Sequence, residues 1–428
     1  MRRLLPQSAY ARNVITLMTG TGLAQAIPIA VSPILTRIYS PEQFGLFALF
    51  MAIASIAAVL VTGRYEQAIL LPKEDRDAMQ VVALSTLLSM LLSFTLFVLV
   101  CFFNAPIAEL LGNPAVAPWL YWIPLSTLLM GGYQSLSYWC NRKGQYKRLA
   151  VSRTLQSGCS SGGQLAGGAL GAGVTGLVWG QLIGQLLALL ALARMVLRED
   201  RSFVRGICLG QMAVWAKKYI NFPKFLIAAH GFNTASSQMP IMLLSVMFSA
   251  SSVGFYNLTQ RVLGAPITLV AGALGDVFRQ EASRAYIDTG NCKLVYVKTL
   301  KRLLIVSILP FFAFFLVAPV FFALVFGEPW RVAGEYARIL VPMFFLRFVA
   351  SPLSMVFIVA EAQKLDLAWQ VMLFVLVVVA FLAGYWLGSE WLALVFFTIA
   401  YSFCFLVNLL ISYRLACGGF NLQGVRSA

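Results

Sequence analysis

Residues 303–326 read LLIVSILPFFAFFLVAPVFFALVF, twenty-four residues without a charge. A helix of about 20 apolar residues crosses the roughly 30 Å hydrocarbon core of a bilayer. This run is therefore long enough to span a membrane. Lys301-Arg302 close one end and Gly327-Glu328-Pro329 the other. The rest of the chain is built alike: of 428 residues, 60% are hydrophobic and only 11% are charged. Soluble domains average about 45–50% apolar and about 25% charged. A soluble core this apolar would leave too little polar surface to meet water. Disorder is excluded as well, because it needs low hydrophobicity. The fold class is an all-α polytopic membrane protein.

Working outward by the same criterion gives twelve spans: 13–36, 45–63, 79–103, 116–139, 154–172, 174–193, 225–247, 254–277, 303–326, 338–360, 369–388 and 391–412. The fifth and sixth are rich in Gly and Ser, with little more than Gly173 between them. Arg2, Arg3, Arg12 and Ala24-Gln25-Ala26 imitate a cleaved secretion signal, but the apolar run continues to Leu35. Cleavage would remove half a helix, so the segment is expected to stay as span 1.

The spans sort the 32 Lys and Arg residues. Twenty-seven fall in loops on the side of the N-terminus, and only Arg37, Arg331 and Arg338 on the other. Basic residues collect in cytoplasmic loops, so both termini are expected in the cytoplasm. The net charge of +16 is thereby a topological signal and no argument for nucleic acid. The expected organisation is a six-helix bundle over 1–200, a basic cytoplasmic linker over 201–224, a second bundle over 225–412 and a cytoplasmic tail over 413–428.

The two halves look related. Ser40-Pro41-Glu42-Gln43-Phe44-Gly45-Leu46-Phe47 follows span 1, and Ser249-Ala250-Ser251-Ser252-Val253-Gly254-Phe255-Tyr256 follows span 7, at an offset of 209. Leu111-Gly112-Asn113-Pro114 matches Phe326-Gly327-Glu328-Pro329 at 215. Pro124, Gln145 and Leu149-Ala150 match Pro342, Gln363 and Leu367-Ala368 at 218. Three matches in order indicate a 6+6 duplication in which both halves share one orientation. Secondary transporters use this plan, with the substrate site between the bundles.

Arg261 and Arg347 are the two basic residues left inside spans. A centred arginine costs about 2.5–3.5 kcal/mol on insertion scales. Either each meets a structural partner, or they face a water-filled cavity and bind an anion. In span 8, Asn257, Arg261, Gly264, Thr268 and Gly272 project as one polar or small stripe at about 100° per residue. Asp276, about 60° from Arg261 on the same projection, is either a coupling group or a helix-end charge. Span 1 carries Thr21, Gln25, Pro28, Ser32 and Thr36, with Arg37 at its end. Span 7 carries His230, Asn233, Thr234 and Ser237, then Pro240. His230, the only histidine, is either a packing residue or a proton sensor. Arg64 and Glu66, near the inner end of span 2, are placed to pair across helices as a gate. The ladders Gly163/Gly167/Gly171 and Gly176/Gly180/Gly184 let backbones approach closely and read as packing.

Other chemistries lack their motifs. There is no Walker A sequence, no H-E-x-x-H and no G-x-S-x-G. Seven cysteines without a C-x-x-C pair indicate neither disulfides nor a metal site, and no cofactor is expected.

Tyr39-Ser40-Pro41-Glu42-Gln43-Phe44-Gly45-Leu46-Phe47, then Arg64-Tyr65-Glu66 with Ile69-Leu70-Leu71-Pro72-Lys73, and Phe326-Gly327-Glu328-Pro329-Trp330 together resemble Wzx-type O-antigen and polysaccharide flippases. These belong to the multidrug/oligosaccharidyl-lipid/polysaccharide exporter superfamily. The specific part of the resemblance lies mainly in 37–78 and 326–342. It implies twelve helices in two bundles around a V-shaped cationic cavity, in a bacterial inner membrane. It implies an undecaprenyl-pyrophosphate-linked oligosaccharide as substrate, flipped from the cytoplasmic to the periplasmic leaflet, with polysaccharide polymerase and chain-length machinery as possible partners. Arg261 and Arg347 suit a pyrophosphate, which arginine binds bidentately. Asn257, Gln25, Asn233 and Arg37 would meet the sugars or the anion; Asp276, His230, Arg64 and Glu66 are the gating or ion-coupling candidates. A drug antiporter of the same fold would want a buried carboxylate. An enzyme of lipid-linked sugars would want a sizeable outer loop, which the chain lacks.

Overall fold

The computed structural model describes residues 9–360 and 362–418; the side chains of 9–18, 228, 229, 273 and 276 lie outside the description. Arg2, Arg3 and Arg426 fall beyond it, as does the side chain of Arg12. Among the described residues there is no strand. The long helices are α1 (Ala9–Ile38), α2 (Pro41–Val61), α3 (Asp75–Leu110), α4 (Ile123–Arg142), α5 (Tyr146–Ala169), α6 (Val174–Glu199), α7 (Ile227–Met247), α8 (Ala250–Pro266), α9 (Gly272–Thr289), α10 (Lys293–Phe326), α11 (Arg331–Leu353), α12 (Gln363–Trp386) and α13 (Glu390–Ala416). Each of the twelve expected spans coincides with one of these, the eighth being covered by α8 and α9 together. Seven described helical segments are long and apolar enough to cross a membrane on composition alone. α1, α4, α5, α7 and α8 carry more Gly, Ser, Thr and amide side chains.

The junction between α1 and α2 shows why the repeated turn motif matters. Ser40 Oγ accepts from the Gln43 N–H at 3.3 Å, and the Ser40 N–H donates to Gln43 Oε1 at 3.1 Å. This reciprocal cap satisfies two of the N–H groups that a helix start leaves open. Pro41, with its fixed φ and no N–H to lose, sits in the first turn. The helix begins there because the sequence supplies every part of the cap.

The glycine ladders work as packing. A Cβ on Gly163 would stand 2.8 Å from Gly180 Cα, and one on Gly167 2.5 Å from Gly176 Cα. Only glycine lets α5 and α6 approach this closely. In lipid, where burying apolar surface between helices gains little, such contact supplies the association. Gly171 and Gly173, both at positive φ (67° and 56°), turn the chain between the two helices.

The chain divides into two compact units, residues 1–254 and 255–428. The sequence reading opens the second bundle at residue 225; in the structure α7 packs on α2 and belongs to the first unit. The expected basic linker 201–224 is partly helical and packed on the first unit. It contains a short helix, Leu209–Lys218, docked against α3. Gln80 Nε2 donates to Gly206 O at 2.7 Å, and its Oε1 accepts from the Cys208 N–H at 3.0 Å. Tyr65 Oη donates to Ala216 O at 2.9 Å. Of the expected tail, residues 413–416 complete α13, and 419–428 lie outside the described residues.

Candidate functional site

In the first unit the structure brings together three candidates from distant parts of the chain. Gly63 and Arg64 both adopt positive φ (58° and 60°), and Arg64 is the only such non-glycine among the described residues. This left-handed step turns the chain sharply after α2 into one helical turn, Tyr65–Ala68. Arg64 Nη1 consequently lies 3.1 Å from Glu66 Oε1. The pair forms within a single turn, not across helices. Glu66 is fully buried and Arg64 is 8% exposed. Glu66 Oε2 and Arg64 Nε have no hydrogen-bond partner among the described residues. Two residues away in sequence from Tyr65, Gln67 Nε2 lies 3.4 Å from His230 Nε2 on α7. Tyr138 on α4 lies within electrostatic reach of both Arg64 and Glu66.

The basic end of this unit is held by ion pairs. Asp75 receives Arg142 Nε at 3.0 Å and Lys143 Nζ at 2.6 Å. Asp200 receives Arg148 Nη1 at 3.3 Å and Trp139 Nε1 at 3.1 Å, and Arg148 also pairs with Glu199. These fix the mutual positions of α3, α4, α5 and the end of α6.

The other first-unit candidates are dispersed. Gln25 is exposed on α1, while Ser32 and Thr36 of the same projected stripe are buried. Ser32 Oγ donates to Pro28 O at 2.6 Å, a bond to the preceding turn beside the prolines. Asn233 is exposed on α7, and Arg37 is exposed in the last turn of α1.

In the second unit, Arg261 and Asn257 are partly buried on α8, and Arg347 is partly buried on α11. From the helix starts at Ala250 and Arg331, Arg261 lies roughly 16 Å and Arg347 roughly 24 Å along the axis at 1.5 Å per residue. Neither is a helix-end residue. The Arg347 guanidinium stands 5.9 Å from the Phe344 ring centroid, and it lies within electrostatic reach of Tyr256 and Tyr401. α8 and α11 are joined by Thr259 Oγ1 donating to Ala333 O at 2.7 Å. The single stripe projected along span 8 does not survive intact. A π-helical segment, Ile267–Ala271, separates α8 from α9 and alters the residue register. Thr268 turns back to Ala265 O at 3.1 Å. The stripe therefore ends at Gly264, and the 100° projection linking Arg261 to Asp276 fails. The Asp276 side chain lies outside the described residues.

The expected start of span 5 at residue 154 places Arg153 in a loop. α5 starts at Tyr146, so Arg153 lies two turns inside a helix. Its Nη1 donates to Thr21 Oγ1 on α1 at 2.7 Å. The available signal was the spacing Arg153, Gln156, Ser160, a polar face at helical intervals.

Comparison with known proteins fits this architecture. The structure matches one described as the inward-facing conformation of a multidrug resistance MATE family transporter of the MOP superfamily, with a TM-score of 0.72 at 17% identity, covering 95% of this chain and 96% of that one. It matches the lipid II flippase MurJ in an inward closed conformation with a TM-score of 0.71 at 12% identity, covering 95% and 90%. A MOP superfamily transporter from Pyrococcus furiosus, described as having a binding pocket of reversed polarity, matches with a TM-score of 0.57 at 16% identity and 96% coverage of both chains. At these identities the likeness establishes the fold alone. Among curated proteins no sequence matches it. The sequence model of one family, described as polysaccharide biosynthesis protein, aligns with residues 34–335, and on that extent of match the chain belongs to this family.

Proposed function

We propose that the protein is a flippase for an undecaprenyl-pyrophosphate-linked oligosaccharide, carrying it from the cytoplasmic to the periplasmic leaflet of a bacterial inner membrane by alternating access. The observation that carries this reading is the pair Arg261 and Arg347, partly buried well inside helices of the second unit. A guanidinium at such depth is expensive in hydrocarbon and marks a polar pathway. Its planar fork matches phosphate oxygens and gives no help with a cationic drug. Family membership supplies the saccharide context.

Energetically, no nucleotide site is needed. Moving an anion out of an inside-negative cell is downhill by about 2.3 kcal/mol per charge per 100 mV. Membrane potential, or an ion gradient, would then suffice to bias transport. Asn257 sits one turn before Arg261, where an amide would meet sugar hydroxyls. Gln25, Asn233 and Arg37 remain candidates for the same role in the first unit. Arg64, Glu66 and Asp276 remain the candidates for gating or coupling, and His230, hydrogen-bonded to Gln67, is taken as a packing residue beside the Arg64–Glu66 pair. Polymerase and chain-length machinery would receive the product at the outer leaflet.

The test is to delete the gene and assay lipid-linked oligosaccharides by leaflet. Accumulation at the cytoplasmic face supports the proposal. Unchanged surface polysaccharide together with drug sensitivity overturns it in favour of a drug exporter. Arg261→Ala beside Arg261→Lys then addresses the anion site: normal transport by both removes Arg261 from it.

A further inference from the structure

The first unit contains a cavity of about 510 Å³, within the range of about 300–1,000 Å³ typical of small-molecule sites. On α4 it is lined by Tyr133, Gln134, Ser137 and Asn141, and on α5 by Arg153 and Gln156. The spacings 133/134, 137, 141 and 153, 156 put each set on one helix face. Among the described residues, no carboxylate lines the cavity and one guanidinium does.

The hydrogen-bond inventory of this lining is incomplete. The side chains of Gln134 and Gln156 stand half-exposed in the cavity, and Ser137 Oγ is buried without a partner among the described residues. Arg153 spends one N–H on Thr21, and its other donors meet no described acceptor. Gln185, also in the lining, gives only its Oε1 to Ser126, at 3.0 Å, which leaves its NH2 available. By contrast, Tyr133 Oη is tied to Ser152 Oγ at 2.9 Å, which fixes its ring. A buried polar atom such as Ser137 Oγ costs free energy when left without a partner, and the half-exposed amides beside it stand open to whatever polar group enters the cavity.

We infer that this cavity is a binding site for a saccharide unit that carries an anionic group. Vicinal sugar hydroxyls present a donor and an acceptor side by side, and a planar amide answers both at once. Gln134, Gln156 and Asn141 supply three such amides, and the Tyr133 ring offers an apolar face. Arg153 selects for a carboxylate or phosphate beside the hydroxyls. Leu129, Met130 and Leu149 complete the lining with apolar surface that the C–H face of a sugar ring can cover, and a cation would meet a guanidinium with no carboxylate among the described lining residues. The inference rests on the flippase reading for its biological sense, since the sugar would be the substrate's headgroup.

The test uses the purified full chain in detergent and ligand-observed NMR, with glucuronic acid, glucose 1-phosphate and glucose as probes. Glucuronic acid or glucose 1-phosphate should bind more tightly than glucose, and whichever is preferred identifies the anion as carboxylate or phosphate. Gln156→Leu and Gln134→Leu keep the side-chain shape and should each weaken binding about tenfold. Arg153→Lys should reduce the preference for the charged sugars, leaving glucose binding nearly unchanged. Binding of neither charged sugar overturns the inference and leaves a water-filled cavity. So does binding that both glutamine variants leave unchanged, provided they elute as folded protein. Leaflet analysis in cells separates the two readings. If the glutamine variants flip lipid-linked saccharide normally, the pocket assignment falls and transport stands. If the wild type does not flip it while the cavity still binds the charged sugars, the transport reading falls and the pocket stands.

Discussion

Gly45 and Gly254 lie backbone against backbone within the first unit. A Cβ on Gly45 would stand 3.1 Å from Gly254 N and collide with Ala250 O; one on Gly254 would stand 3.2 Å from Gly45 N and collide with Pro41 O. The two residues are the matching glycines of the repeated turn, 209 positions apart in sequence. The duplication thus brings its own equivalent turns face to face, each glycine making room for the other's helix start. Because the obstructing atoms are backbone, they cannot swing aside. Gly45→Ala and Gly254→Ala should each cost about 1–3 kcal/mol, the usual penalty for overpacking. The thermal stability of the purified protein checks this; melting midpoints equal to wild type in both variants would contradict it.

The Arg64–Glu66 pair makes a different kind of prediction. Removing one member of a buried pair strands the other charge, at about 3–5 kcal/mol, whereas removing both is far milder. Glu66→Ala should therefore destabilise strongly, and Arg64→Ala combined with Glu66→Ala should recover much of the loss. A double-mutant cycle on thermal stability measures the coupling. Additive losses would show that the two side chains do not depend on each other.

The spanning helices were legible because lipid imposes a blunt rule: about twenty apolar residues per crossing. The same rule hid Arg153. A boundary drawn by hydropathy expels charge from a span by construction, so it places the polar start of α5 in a loop. The π turn at Ile267–Ala271 has no comparable signature in composition, and it broke the projected stripe of span 8. The pairing of Arg64 with Glu66 depends on a positive φ at Arg64, a conformation that a non-glycine residue rarely adopts. The placement of α7 in the first unit is a matter of tertiary packing on α2, which periodicity along one helix does not encode. By contrast, the ladders of α5 and α6 were readable, because small residues at every fourth position mark a face along which another helix can pack closely.

Cysteine chemistry gives a prediction that also tests orientation. Cys208 is exposed on the docked segment after α6. Cys292 is buried at the start of α10, and its N–H donates to Ala416 O at 2.8 Å. Burial pushes its thiol up to about 11. The thiolate is the reactive form, and with a raised value it is scarce at neutral pH. In chains keeping a single cysteine, a membrane-impermeant maleimide at neutral pH should label Cys208 and leave Cys292 unlabelled until the pH rises toward 11 or the chain unfolds. If the basic loops are cytoplasmic, Cys208 should label in inside-out vesicles only. Labelling in right-side-out vesicles alone would reverse the topology.

His230 distinguishes packing from proton sensing. Gln67 Nε2 donates to His230 Nε2 at 3.4 Å, which uses the imidazole nitrogen as an acceptor. Protonation would turn that nitrogen into a donor. A glutamine amide, however, can present its oxygen instead by rotating through 180°, so either form of the ring finds a partner. His230 is therefore expected to act as a packing residue whose hydrogen bond survives titration. His230→Gln keeps a side chain able to bond Gln67, and it should transport with the same pH profile as wild type. His230→Leu, which leaves the partly buried Gln67 amide facing an apolar group, should lose about 1 kcal/mol of stability, the net worth of a typical hydrogen bond. The measurement is the rate of lipid-linked saccharide translocation across pH 5.5 to 8, a range of about one unit or more on either side of the usual histidine value. If His230→Gln flattens a pH-dependent limb that the wild type shows, the histidine titrates as part of the transport cycle, and the packing assignment is wrong.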